Sequence, residues 1–155
     1  ASFRQEEEAT QMAVAHILRQ KGTSVFTVEP GDSVQTIVDM LARHRIGAVV
    51  VVDPAGGIAG IVSERDVVRA MVGDAAGVVS KTAKDIMTAK VRTCSPSDSE
   101  AELMQMMTES RIRHLPVVAN GRVTGMISIG DVVKLRIESM EAEADQMKTY
   151  IASAG

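Results

Sequence analysis

Apolar residues along this chain change their spacing several times, and each change marks an element. Met12, Val14, Ile17 and Leu18 recur at helical spacing and stop at Lys21-Gly22, which predicts a short helix from about Thr10 closed by a glycine. Residues 1–8 are polar and predict a solvated tail. Val25-Phe26-Thr27-Val28 is a brief β-type run halted by Glu29-Pro30-Gly31. Asp32-Ser33-Val34-Gln35 then gives an Asp-x-x-Gln start for a helix with Val34, Ile37, Val38 and Leu41 on one face. Gly47 to Val52 is apolar without alternation, the pattern of a strand buried on both faces. Asp53-Pro54-Ala55-Gly56-Gly57 has turn composition, Ile58 to Val62 predicts the return strand, and Ser63 opens a helix through about Val72.

Gly73 to Lys84, rich in Gly, Ala and Ser, reads as a connector, and Asp85-Ile86-Met87-Thr88 as a short turn. The earlier order then returns. Val91-Arg92-Thr93-Cys94 is followed by Pro96, and a helix is expected from Ser97 with Glu100 completing its capping box. Leu103, Met104, Met106 and Met107 are its apolar positions. His114-Leu115-Pro116-Val117-Val118 predicts a strand, Asn120-Gly121 a hairpin turn, Val123 to Ile127 the return strand, and Ser128 or Ile129 the start of the last helix. Pro30 to Pro96 and Ile46 to Ile112 are 66 apart, whereas Gly60 to Gly125, Ser63 to Ser128 and Asp66 to Asp131 are 65 apart. One residue lost in the hairpin turn explains both offsets, so the chain carries a duplicated β-α-β-β-α unit of the α+β class. The expected division is a tail and helix over 1–20, a first repeat over 21–76, a linker over 77–84, a second repeat over 85–136 and a helical extension over 137–155.

In that extension Val133, Ile137, Met140, Ala144, Met147 and Ile151 are spaced 4, 3, 4, 3, 4 with mostly charged residues between them. Such a stripe needs a partner surface. Packing back on its own domain and a seam in a homodimer both satisfy the pattern.

Composition narrows the function classes. With 155 residues, 45% hydrophobic and 24% charged, the chain is of ordinary globular make-up. A net charge of −3 gives no general basic field for phosphate backbones, and 2% aromatics leaves almost no stacking platform for bases, so nucleic acid is an unlikely partner. Cys94 stands alone, which excludes an internal disulfide, and no C-x-x-C or H-E-x-x-H spacing suggests a metal. The longest apolar run, Ile46 to Val52, is too short to span a bilayer, and Ala1-Ser2-Phe3-Arg4 leading into Glu6-Glu7-Glu8 lacks a secretory pattern. A cytoplasmic protein without membrane contact is expected.

The stretch that invites a function occurs twice. Gly60-Ile61-Val62-Ser63-Glu64-Arg65-Asp66 and Gly125-Met126-Ile127-Ser128-Ile129-Gly130-Asp131 each suggest a glycine closing a turn, two apolar residues ending a strand, and a Ser-x-x-Asp opening a helix. A hydroxyl and a carboxylate are thereby placed beside free backbone N–H groups. The same spacing is a capping box, and the two roles are compatible because capping residues sit at the anion site. Cys94 in an apolar strand reads as packing, the methionines as core filler, and His16 and His44 as solvated. His114 can meet a phosphate or bond to backbone. No nucleophile, base and orienter assemble, so no catalytic residue is assigned.

These motifs resemble those of a tandem pair of CBS (cystathionine-β-synthase) domains over about Lys21 to Arg136. The likeness rests on Thr27-Val28-x-Pro30, Ile46-Gly47-Ala48 and the Ser63-x-x-Asp66 stretch, with Thr93-Cys94-x-Pro96, Arg113-His114-Leu115-Pro116-Val117 and the Ser128-x-x-Asp131 stretch as their partners. The resemblance implies two pseudo-twofold-related units forming one module, with two clefts between them and frequent dimerisation into a flat disc. It also implies a sensor of energy or metabolite state that binds adenosine-containing ligands: AMP, ADP, ATP, NAD(H) or S-adenosylmethionine. On this reading Asp66 and Asp131 accept hydrogen bonds from ribose hydroxyls, and Ser63 and Ser128 hold ribose or phosphate oxygens. Adenine would lie against Val28 and Ala48, after Thr27, in one cleft and against Cys94, Leu115 and Pro116, after Thr93, in the other. Arg65, Arg111, Arg113 and His114 are the cations placed to meet phosphates, with Arg45 matching Arg111. A separate regulated protein would read the bound state. The copies differ at Ala48-Val49-Val50 against His114-Leu115-Pro116, and at Glu64-Arg65 against Ile129-Gly130, so unequal clefts are expected. The alternative is a ligand-independent dimeric interaction module that uses its C-terminal helix.

Overall fold

The computed structural model describes Arg4 and residues 11–154. Its elements are α1 (Ala13–Lys21), β1 (Thr27–Val28), α2 (Val34–His44), β2 (Ala48–Val52), β3 (Ile58–Ser63), α3 (Glu64–Ala70), a 3-10 turn (Val78–Ser80), α4 (Ala83–Ile86), α5 (Glu100–Ser110), β4 (His114–Ala119), β5 (Arg122–Ser128) and α6 (Ile129–Ala154). The α+β repeat expected from the spacing is present. Thr10, the expected start of the first helix, and the tail before it lie outside the described residues.

The chain groups into two compact units. One comprises Ser24–Thr93 and Val118–Gly125; the other comprises Ala1–Thr23, Cys94–Val117 and Met126–Gly155 as far as these are described. In the first, β1 runs parallel to β2 with Thr27 opposite Val50, and β2 pairs antiparallel with β3. Four of the five β2 residues are buried, as an unbroken apolar run requires. Val34, Ile37 and Leu41 of α2 pack on this sheet, joined by Val67, Val78 and Ala83. The segment read as a connector is therefore tied down. Val34 N–H donates to Lys81 O at 2.8 Å, Ala83 N–H to Asp32 O at 2.8 Å, and Lys84 N–H to Pro30 O at 3.0 Å.

Strands β4 and β5 pair across Asn120-Gly121, whose positive φ values of 54° and 75° suit a two-residue hairpin. The expected strand before Pro96 reduces to a single bridge, Cys94 parallel to Val117. Leu103 and Met107 of α5 pack with Leu115, Val117, Ile127, Val132 and Leu135. Ala13, Val14 and Ile17 of α1 complete that same core.

Three local readings are corrected. Helix α2 starts one residue later than the Asp-x-x-Gln signature suggests: Ser33 is its cap and accepts from Thr36 N–H, because the Asp32 carboxylate is already taken by Glu29 N–H at 2.8 Å. The same substitution of roles moves the α5 start from Ser97 to Ser99, which accepts from Glu102 N–H, while Asp98 receives Ser95 N–H at 2.7 Å. Glu100, expected to complete the box, is instead buried with Oε1 3.7 Å from Arg136 Nε. Gly60 and Gly125 close no turn, since each lies inside a strand. At Gly60 a Cβ would fall 2.6 Å from Met87 Sδ and 2.8 Å from the Thr88 carbonyl oxygen, so the close approach of that segment demands the glycine.

Candidate ligand-binding site

Each strand-to-helix corner is built the same way. At the β3–α3 corner Ser63 is extended, and its Oγ accepts from Asp66 N–H at 3.3 Å. Asp66 Oδ2 accepts from Ser63 N–H at 2.8 Å and from the Ser63 hydroxyl at 2.9 Å. At the β5–α6 corner Ser128 N–H donates to Asp131 Oδ2 at 2.9 Å, and Asp131 N–H to Ser128 Oγ at 3.2 Å. The first helical N–H is spent in both, from Glu64 to Gly47 O at 3.0 Å and from Ile129 to Arg113 O at 2.8 Å. Fewer free donors face the site than the spacing suggests: the first and third N–H groups of each helix are engaged.

The corners diverge in what braces the carboxylate from outside. Thr88 pairs its backbone with Ile61, at 2.9 and 3.0 Å, and its hydroxyl donates to Asp66 Oδ1 at 3.1 Å. At the other corner Lys21, the last residue of α1, donates from Nζ to Asp131 Oδ2 at 2.8 Å and to Met126 O at 3.0 Å. Ile61 and Met126 are the repeat-related positions, so Thr88 and Lys21 do the same job with different chemistry. One aspartate faces a neutral hydroxyl and the other an ammonium.

Charge follows geometry. Burial by itself would raise the Asp131 carboxyl, but the Lys21 hydrogen bond, Ser128 N–H and the Lys21 charge outweigh it and hold it below the usual carboxylate range. Asp131, Lys21 and Lys134, with Gln20, Ile17 and Leu135, line a cleft of about 100 Å³. That room suits a sugar edge or a phosphate group and falls short of the roughly 300–1,000 Å³ usual for a small-molecule pocket. Among the described residues no cluster of three or more His, Cys, Asp or Glu could hold a metal.

The remaining expected contacts fall into three environments. Val28 and Ala48 are buried, and Ala48 stands opposite Ser63 across the sheet, which brings it to the first corner. Cys94 and Leu115 point into the core, and Pro116, also buried, accepts Cys94 N–H at 2.9 Å on its carbonyl. Thr27, Arg65, Thr93, Arg111 and Arg113 are exposed, and His114 is half-buried at the start of β4. Arg45 and Arg111 share a further role: each ends its helix in the left-handed region at φ 52°. Reading by spacing missed Lys21 and Thr88. The signal was their near-equal distance before Pro30 and Pro96, at nine and eight residues.

Known proteins carry the same pattern. A CBS domain model matches residues 7–73 and 83–138. The mitochondrial CBS domain-containing protein CBSX3 of Arabidopsis thaliana is 34% identical over 146 residues, covering 89% of this chain and 71% of its own. The crystal structure of the CBS-domain containing protein ATU1752 from Agrobacterium tumefaciens superposes with a TM-score of 0.77 at 44% identity, over 79% of this chain and 92% of that one. The CBS domain pair of protein MJ0100, solved in complex with 5′-methylthioadenosine and S-adenosyl-L-methionine, has a TM-score of 0.66 at 26% identity, over 72% and 87%. With both repeats matched and their order and corners in place, the chain belongs to the CBS-domain family as a tandem CBS pair.

Proposed function

We propose that this CBS pair is a non-catalytic regulatory module that binds an adenosine-containing ligand, among AMP, ADP, ATP, NAD(H) and S-adenosylmethionine. It would act as a cytoplasmic homodimer and pass the bound state to a separate regulated protein. The observation that carries the reading is the duplicated corner, in which a carboxylate fixed by its own helix can accept both hydroxyl protons of a ribose cis-diol. The adenosine ligands in the MJ0100 pair support the ligand class. Asp131 is the stronger candidate, since Lys21 and Ser128 both engage Oδ2 and leave Oδ1 to other donors, whereas Asp66 spends Oδ1 on Thr88. Lys21 and Lys134 would meet phosphate oxygens, as would Arg65, Arg111, Arg113 and His114. Isothermal calorimetry of the full chain with AMP, ATP, NADH and S-adenosylmethionine tests the reading. Saturable binding by one of them is expected, weakened at least about tenfold in Asp131→Asn and less in Asp66→Asn. No heat with any of the four, together with unchanged melting temperatures, overturns it.

A second reading, the interaction module, is favoured by the uncovered apolar stripe of α6. It predicts that deleting the chain after Arg136 loses the partner while nucleotides do nothing.

A further inference from the structure

Helix α6 leaves its own domain early. Val132 and Leu135 are its buried residues, and nothing from Arg136 to Ala154 is buried. Yet the stripe continues: Val133, Ile137, Met140, Met147 and Ile151 are 46%, 51%, 55%, 63% and 65% exposed. Packing against its own domain, one of the two readings the sequence allowed, does not occur. Eighteen residue steps of helix make the stripe about 27 Å long.

The residues beside the stripe say what covers it. In heptad terms Ile137, Ala144 and Ile151 take the a positions and Val133, Met140 and Met147 the d positions, with Lys134, Glu141 and Lys148 at e and Arg136, Glu143 and Tyr150 at g. A parallel second copy brings each g residue against the e residue of the next heptad, pairing Arg136 with Glu141 and Glu143 with Lys148 of the second copy. Both contacts join opposite charges. An antiparallel copy with the same apolar layers sets e against e and g against g, so Lys134 would meet Lys148, Glu141 would meet Glu141 and Glu143 would meet Glu143. All three are repulsive. Isoleucine at two of the three a positions with none at d fits two strands better than the higher orders that isoleucine at both positions favours.

We propose that residues 133–151 zip onto the same residues of a second copy as a parallel, two-stranded coiled coil. This deepens the homodimer reading above and is independent of the ligand. Arg136 also lies 3.7 Å from Glu100 of its own chain, so Glu143 and Lys148 form the cleaner test pair.

The test uses the full chain. Sedimentation equilibrium should give a dimer that Ile137→Asp weakens at least tenfold, that Lys148→Glu weakens, and that Glu143→Lys with Lys148→Glu restores. Orientation is read from Met147→Cys, whose thiol reacts alone because Cys94 is buried. Mild oxidation should link Met147→Cys chains to each other and should not link them to Ile137→Cys chains in a mixture. The antiparallel arrangement gives the reverse, and that result overturns the proposal. A dimer indifferent to Ile137→Asp overturns the coil and leaves the homodimer standing. A monomeric full chain overturns both, and calorimetry judges the ligand separately.

Discussion

The ribose contact proposed for Asp131 needs a carboxylate that stays ionised and stays still, and a single lysine contributes to both. A carboxyl held below its ordinary range contributes stability above its unfolded value, near pH 4, and that contribution disappears as pH falls through the folded value. Replacing Lys21 by Met leaves burial opposed only by Ser128. Wild type should therefore melt higher than Lys21→Met at pH 7, by the equivalent of about 0.5–1 kcal/mol because Lys21 is partly exposed, and the gap should close towards pH 3. Thermal melts at the two pH values read this directly. Cys94 is the opposite case. Burial, aided by the charge of Asp98, pushes its thiol up to about 12, and the residue is 3% exposed. Thiol reagents should modify it in native buffer about a hundredfold more slowly than in denaturant, and only through opening of the core.

At the scale of elements, the strands, the helices and the duplication were legible because period and offset are properties of the chain alone. Which serine caps a helix was not. Both Asp32 and Asp98 offer cap chemistry in the right place, but each is drawn back to a turn N–H three residues earlier, and the cap passes to Ser33 and Ser99. Ser99→Ala should cost about 1 kcal/mol in urea unfolding. Ser97→Ala should stay within about 0.5 kcal/mol, since its hydroxyl meets only Ser95. The glycine before each corner was also legible as a residue and misread as a turn. At Gly60 the need arises from a segment 27 residues further on, where Met87 and Thr88 lie against it. Gly60→Ala should destabilise by about 1–3 kcal/mol, the Thr88 carbonyl being unable to swing aside as the Met87 side chain can.

For the whole chain, the least legible fact is which core the N-terminal helix serves. Sequence order places α1 ahead of the first repeat, and nothing in its own spacing says otherwise. Its apolar residues Ala13, Val14 and Ile17 are buried among Leu103, Leu115, Ile127 and Leu135, elements of the second repeat. The first repeat is completed in the same way by Val78 and Ala83, from the segment that follows it. Each repeat thus borrows a preceding or following segment to close its core, and the borrowed segment delivers the side chain that braces its aspartate, Lys21 in one case and Thr88 in the other. Core and corner should therefore fail together. Ile17→Ala, at a site 5% exposed, removes atoms from the middle of that packing and should cost about 2–4 kcal/mol in denaturant unfolding. It should also loosen Lys21 from Asp131, so in native-state hydrogen exchange the amides of Leu115, Ile127 and Asp131 speed up together while those of Val49 and Val62, in the other core, keep their protection. Uniform acceleration in both cores, or none in either, would show that α1 is not a part of the second repeat's fold.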